Sequence, residues 1–249
     1  MQKRILVTGG AGFIGSTLTR FLHEAGHAVA ILDNFSFGRR ALVPSGVEIH
    51  EADLRDRRGI ARVIGEVGAE EVYHLAAIHF IPYCNAHPEE AAAVNIQGTR
   101  NLLEALREQR PKTLFFASTA AVYPISDVAH HENDPADPMD IYGITKLIGE
   151  DLVRLFHLDT GVRTIVGRFF NAYGPNETND HVIPEIVAQL RAGKRTLDLG
   201  NIDPKRDFIH TRDLCRAVIG LVERFDGRFG ILNIGTGEEI SVREVVALA

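Results

Sequence analysis

The sequence has no tryptophan, only two methionines and only two cysteines, and the cysteine shortage closes off whole classes of protein. Cys84 and Cys215 stand far apart, without metal-ligand spacing, so neither a disulfide scaffold nor a zinc centre is expected and no metal site is assigned. Cysteine this sparse suits a reducing compartment, and the cytoplasm is the expected one. No apolar run approaches the roughly 20 residues that a membrane-spanning helix needs. Met1-Gln2-Lys3-Arg4 leads straight into an apolar stretch rather than into a leader with a small-residue cleavage site, so export is not expected. Basic charge is also short. A net charge of −6 argues against a nucleic-acid surface, which displaces counterions with an excess of Lys and Arg. Internal repeats, low-complexity tracts and Ser/Pro linkers are missing too, and 249 residues suit one large α/β domain with at most a small lobe.

What is present is alternation. Short Val/Ile-rich runs are each followed by a longer amphipathic stretch, the pattern of βαβ units that build a parallel sheet. Strands are expected near Ile5–Thr8, Ala28–Leu32, Val47–Glu51, Val72–Leu75, Thr113–Ala117, Thr164–Phe169 and Gly230–Ile234. Apolar residues fall three and four apart through 95–108 and 141–156, which predicts amphipathic helices there. From Asn171 the alternation gives way to a polar stretch, Asn-Ala-Tyr-Gly-Pro-Asn-Glu-Thr-Asn-Asp, which reads as a functional loop.

The first strand runs into Gly9-Gly10-Ala11-Gly12-Phe13-Ile14-Gly15 and then a helix with Leu18, Phe21 and Leu22 on one side. In that strand–turn–helix order, Gly9 and Gly12 let the backbone approach a pyrophosphate, and Gly15 lets helix and strand pack closely. The helix N-terminus then faces the anion. About twenty residues further on, the second strand ends in Asp33, an acid placed to bond both hydroxyls of a ribose. The pair of signals predicts a dinucleotide site in a Rossmann-like, doubly wound parallel α/β sheet. Asp33 would repel a 2′-phosphate, so NAD is favoured over NADP, with Arg39 and Arg40 nearby as the countervailing charges.

Tyr142 and Lys146 lie four apart at the start of the 141–156 helix, on one face. An unshifted tyrosine, with pKa about 10, is only about 0.1% phenolate at pH 7, and lowering it by roughly three units takes about 4 kcal/mol. A neighbouring ammonium and the positive ring of NAD⁺ are charges able to contribute. The preceding strand, Phe115-Phe116-Ala117, ends in Ser118-Thr119, placing hydroxyls where open parallel sheets bind ligands; Ser118 or Thr119 would hydrogen-bond a substrate hydroxyl and pass its proton toward Tyr142.

Together Thr-Gly-Gly-Ala-Gly-Phe-Ile-Gly, Ala-Ser-Thr-Ala-Ala-Val-Tyr, Tyr-Gly-Ile-Thr-Lys and Arg-Phe-Phe-Asn-Ala-Tyr-Gly-Pro resemble the extended short-chain dehydrogenase/reductases. Within them the chain is similar to the NAD-binding nucleotide-sugar epimerase/dehydratase group, whose prototype is UDP-galactose 4-epimerase. The resemblance implies that Thr119 is the catalytic Ser/Thr, with Ser118 the neighbouring hydroxyl. It makes Tyr142 the base, and Lys146 the residue that tunes Tyr142 and holds the nicotinamide ribose. It also implies that Asp53 and Leu54 flank the adenine, and that Ala76 and Ala77 line the phosphate and ribose region. Asn95 would stand at the sheet edge near the cofactor, and His79 where the prototype has a cofactor-contacting lysine. Phe13, Ile14, Asn34 and Phe169 complete the expected cofactor surface. For the sugar nucleotide it implies Asn171 at the diphosphate, His181 and Val182 along the cleft, and Arg206 in Lys-Arg-Asp-Phe as the phosphate clamp. Residues 1–170 are then the NAD domain and 171–249 a small substrate-binding lobe interleaved with the last strands. A homodimer through the 95–108 and 141–156 helices is expected.

Beside Thr119, where dehydratases and decarboxylases of the group carry an acid, stand Ala120 and Ala121. Eliminating water needs a proton taken and one given, so 4-epimerisation, by oxidation at C4 and hydride return to the other face, is the simpler expectation. The Leu-Gly-Asn-Ile-Asp-Pro-Lys-Arg-Asp-Phe segment, similar to some dehydratases, keeps a 4,6-dehydratase as runner-up, with a 4-reductase of the same family beside it. A non-catalytic NAD sensor is the rival of another class. Proton transfer by Cys84 with His79 or His87 is a third chemistry, against which Cys84 reads as a small apolar side chain. The chain stops at Val-Val-Ala-Leu-Ala, inside an expected helix where family members continue, and either a fragment lacking the last substrate segment or an incompletely ordered protein is therefore expected.

Overall fold

The structure, a computed structural model, describes residues 1–177, 179 and 181–249. Its centre is a seven-stranded parallel sheet built from β1 (Arg4–Thr8), β2 (Ala28–Asp33), β3 (Glu48–Glu51), β4 (Glu71–His74), β5 (Thr113–Thr119), β6 (Arg163–Phe169) and β10 (Phe229–Ile234). These are the seven strands expected from the sequence, with ends moved by a residue or two. Across the sheet the order is β10-β6-β5-β4-β1-β2-β3. The chain winds outward from β1 in one direction and, after β3, crosses back to β4 on its other side. The switch point between β1 and β4 leaves a crevice at the strands' carboxyl ends, where such sheets bind ligands.

Two helical layers cover the sheet. On one face α1 (Phe13–Glu24) packs against α8 (Thr211–Arg224); on the other lie α2 (Arg57–Val67), α5 (Thr99–Gln109) and α6 (Ile141–Thr160). The period of two along β1 divides the core: Ile5 and Val7 join Leu18, Leu22, Leu214 and Val218, while Leu6 joins Ile60, Leu102, Val153 and Phe156. Each such fully buried side chain contributes about 1.5–3 kcal/mol.

Smaller elements frame the crevice. Helices α3 (Ile81–Ala86) and α4 (Pro88–Ala92) lead through a π-helical stretch, Ala93–Gly98, into α5, so the helix expected over 95–108 begins earlier and is locally wide. The polar stretch after Asn171 opens with β7 (Asn171–Tyr173), paired in parallel with β9 (Phe208–His210), and β8 (Lys205–Arg206) pairs antiparallel with β11 (Ile240–Ser241). Helix α7 (Val182–Arg191) follows that stretch; of its polar residues Thr178 and Asp180 lie outside the described ones. The chain ends in α9 (Val242–Leu248), started by a capping box between Ser241 and Glu244. Because α8 and β10 belong to the main layers, the residues after 171 divide between the sheet domain and the strand pairs around the crevice. Among the described residues no helix is long and apolar enough to cross a membrane.

Candidate active site

A cleft of about 1120 Å³ opens along the carboxyl edge of the sheet. At its floor β1 turns through Gly9, whose φ is +71° and whose missing Cβ would lie 2.8 Å from the Ala76 backbone; a Cβ on Gly15 would lie 2.0 Å from the Gly9 carbonyl oxygen. Only glycine fits either position. Gly12 caps α1 and no side chain bonds to that end, so the helix's first-turn amides face a cleft lined by Gly9, Gly12, Phe13, Ile14 and Gly15. That is a cradle for a diphosphate.

Asp33, at the end of β2, is 6% exposed, and its carboxylate accepts from the amides of Ala11 (2.9 Å) and Phe35 (2.8 Å). Burial pushes its pKa up, against the two amides, so the charged form still lacks partners, and a pair of ribose hydroxyls facing the cleft would supply donors. Arg40 is committed to Glu51 and its guanidinium sits 4.3 Å over the Phe35 ring. Neither Arg39 nor Arg40 lines the cleft, so neither of these two cations faces the place of a 2′-phosphate. Asn34 donates to Asp53 (2.9 Å), which Arg55 grips twice, at 2.9 and 2.7 Å; Arg55 holds the Asp53 carboxyl well below its ordinary range. Leu54, Ala76, Ala77, His79 and Phe169 continue the same wall. These residues fit a dinucleotide along the whole switch point.

The catalytic candidates converge from two elements. Thr119 ends β5 and accepts from the Ala121 amide at 3.1 Å. Tyr142 sits in the first turn of α6, a turn started by the Asp140 carboxylate accepting from the Gly143 amide at 2.8 Å. Burial raises the Tyr142 phenol while a hydrogen bond with Thr119 opposes the rise. Lys146 is 4% exposed. Its Nζ donates to the Ala117 carbonyl at 2.8 Å, 6.0 Å from the Tyr142 ring centroid and 4.9 Å from that of Phe116. Burial lowers its pKa to about 8. The sequence asks for a lowered phenol; the chain alone raises it, because desolvation outweighs the hydroxyl's help.

Three assignments change. Ser118 lines the cleft but is 2% exposed, and its hydroxyl proton is engaged inward by Glu150 at 2.5 Å rather than free to pass toward Tyr142. Asn95 lies behind the cleft wall: its side chain bonds the Ile78 amide and carbonyl, both at 2.8 Å, and Thr145 at 3.0 Å. It braces the Ala76–Ile78 turn instead of touching the cofactor surface. Val182 opens α7 and does not line the cleft, whereas Asn171, His181 and Arg206 do. Arg206 is exposed and donates to the Lys205 carbonyl.

Other features escape spacing arguments. The His79 ring stacks on that of His181 at 6.0 Å, Asn179 bonds His79 at 3.1 Å, and the ligand-type atoms of His79, Glu177 and His181 lie within 4.8 Å of one another. Burial first, then His181 and Lys146, lower His79 to about 4. Cys84 is fully buried, donates to the Ile78 carbonyl, and burial pushes its thiol up to about 11, which is the inert apolar cysteine the sequence suggests. Asp207 accepts from the amides of Thr236 and Gly237 and so shapes the turn after β10 that closes the cleft. Glu150 and Arg168 form a buried ion pair beneath the catalytic residues. Arg168, a charge between Gly167 and Phe169 near the end of β6, is a signal in the sequence for a buried ion pair, though not for its partner.

Residues 5–235 match the model of the NAD dependent epimerase/dehydratase family. A UDP-glucose 4-epimerase of Corynebacterium glutamicum is 36% identical, over 98% of this chain and 79% of its own length. One of Streptomyces lividans is 35% identical, over 99% and 80%. The crystal structure of the Thermus thermophilus UDP-glucose 4-epimerase in complex with NAD superposes with a TM-score of 0.90 at 32% identity, covering 98% of this chain and 81% of that one.

Proposed function

Since the chain belongs to the NAD-dependent epimerase/dehydratase family, we propose that it is a 4-epimerase of nucleotide sugars, with UDP-hexoses the first substrates to test. The observation that carries this reading is the meeting of Thr119, Tyr142 and Lys146 at the sheet's carboxyl edge beside Ala120 and Ala121, which line the cleft where an eliminating enzyme needs an acid. When bound, NAD supplies the hydride acceptor at sugar C4 and the donor that returns the hydride. The chain does the rest.

Gly9 and the turn from Gly12 to Gly15 hold the pyrophosphate, Asp33 the adenosine ribose, Asp53 and Leu54 the adenine edge, and Lys146 the nicotinamide ribose. Tyr142 Oη would take the proton of the sugar 4-hydroxyl as C4 is oxidised and give it back to the same oxygen once C4 is reduced again. Thr119 holds that hydroxyl in line. Asn171, His181 and Arg206 grip the diphosphate, Arg206 with its planar fork. Residues 1–170 then serve NAD and the residues from 171 the sugar nucleotide. Two free, buried cysteines suit a cytoplasmic setting. A homodimer is part of the same reading: Ile144, Ile148 and Leu155 expose 41, 38 and 49% of their surface along one side of α6, an apolar stripe that pairing would cover. Sedimentation at micromolar concentration should give a dimer; a monomer alone would refute the pairing.

The deciding experiment incubates the purified protein, without added cofactor, with UDP-, GDP-, dTDP- and CDP-sugars and follows products by NMR and mass. A product of unchanged mass with inverted configuration at C4 is expected. Loss of one water would replace the epimerase with the dehydratase, and no turnover with NAD supplied would favour a sensor.

A further inference from the structure

Under the catalytic residues runs a polar chain that the reaction itself does not use. Glu150 lies one helical turn beyond Lys146 on α6, and both carboxylate oxygens are taken by Arg168 of β6: Nε at 2.9 Å and Nη2 at 2.7 Å. Both side chains are about 5% exposed. Ser118, next to Thr119 on β5, donates to the same carboxylate at 2.5 Å. Arg168 Nη1 reaches on to the Tyr123 hydroxyl at 2.7 Å, and Tyr123 donates to Asn233 of β10 at 2.8 Å. One carboxylate thus ties the helix that carries Tyr142 and Lys146 to the strand that carries Thr119.

The geometry points to Glu150 as a positioning residue: clamped by Arg168 and Ser118, it holds α6 in register with β5 and β6 so that Tyr142 meets Thr119, and it keeps an anion behind the Lys146 ammonium. A fully formed bidentate pair with a third donor is the arrangement that makes a buried carboxylate tolerable and geometrically fixed. A mere stability pair would need no hydroxyl from the residue beside Thr119 and no place one turn from Lys146. Burial drives Lys146 toward its neutral form, while Glu150 opposes that; Cys84 of α3 also faces this ammonium, but its thiol, raised to about 11, is uncharged where Lys146 titrates. The other titratable groups around this ammonium are Tyr142 on its own helix, and His74 and His79 from and just beyond β4.

The inference rests on the proposed roles of Tyr142 and Lys146, and its test needs no turnover. The Lys146 side chain is titrated by NMR in the full chain with its dinucleotide bound and sugar absent. Glu150→Gln should move the midpoint down by about one unit, the size expected for losing one charge at this range in a partly shielded interior. Glu150→Asp, which keeps the charge, should restore most of the shift. The double variant Glu150→Gln with Arg168→Met removes the pair together, leaves no lone buried charge, and should show a smaller downward shift, because the guanidinium that opposes the ammonium goes with the carboxylate. With any sugar that turns over, the alkaline limb of the rate profile should move to lower pH in step. A Lys146 midpoint unchanged in Glu150→Gln, or in the double variant where the single one fails to fold, overturns the proposal. Absence of turnover with every sugar would strike the epimerase reading and leave the titration result standing.

Discussion

Tyr142 and Lys146 are each pushed toward neutrality by burial, the phenol upward and the ammonium down to about 8. Burial opposes both charges, but the ammonium survives at neutral pH while the phenolate does not, so Tyr142 works as a base only when something nearby favours its anion. Tyr142→Phe removes the proton carrier without a change in volume; turnover should fall by about 10²–10⁴ while NAD still co-purifies, measured by release on denaturation. Unchanged turnover would sink the mechanism. Lys146 is charged below its lowered value, so the rate should decline as pH rises past about 8. Asp33 behaves in the opposite sense: burial raises its pKa, so its carboxylate is protonated sooner as pH falls, and NAD should be held less well through that acidic window. Asp33→Asn should weaken NAD binding about 10- to 100-fold at pH 7, since hydrogen bonds to a charged acceptor contribute about 1.5–3 kcal/mol. Equal NAD retention by calorimetry would remove Asp33 from the ribose site. These residues are legible in sequence because turn, strand end and helix spacing each constrain them. Glu150 and the inward bond of Ser118 to it are not, because a pattern of spacings does not say which polar side chains meet in the interior.

At the scale of elements, the seven parallel strands and the two catalytic-edge helices are readable from period and turn chemistry, yet the face that a given helical residue presents is not. Asn95 shows why: it falls in a π-helical stretch, where one extra residue per turn rotates the side chains, and it ends up bracing Ile78 and Thr145. The start of α6 is the opposite case. Asp140 precedes the apolar-periodic run as an N-cap should, and its carboxylate does bond the Gly143 amide. Asp140→Ala should cost about 1 kcal/mol of stability, read as a lower denaturant midpoint. Because Tyr142 lies in the turn so anchored, the rate should fall by more than that loss alone implies. A variant with lowered stability and full turnover would show that the cap does not hold Tyr142.

For the whole molecule, the sheet is also sealed by a buried imidazole. His74, 1% exposed at the end of β4, shares hydrogen bonds with Thr8 of β1 at 2.7 Å and Thr99 of α5 at 2.9 Å, joining both sides of the switch point to the helical layer behind. Burial lowers its pKa to about 3, and that of His79 to about 4. A base whose folded pKa is depressed keeps its full contribution above the unfolded value of about 6.5 and loses it as pH falls toward the folded value. In that window the unfolded chain takes up protons that the folded chain refuses. Stability should therefore drop by up to about 1.4 kcal/mol per pH unit for each histidine, beginning near pH 6.5 and ending near pH 4 for His79 and lower for His74. Denaturant midpoints measured from pH 7.5 to 4.5 should show this slope, and His74→Gln, which keeps hydrogen-bonding capacity but cannot charge, should flatten it while lowering stability at pH 7.5. An unchanged slope in that variant would mean that other groups set the acid limit of the fold and that the switch point does not depend on a neutral imidazole.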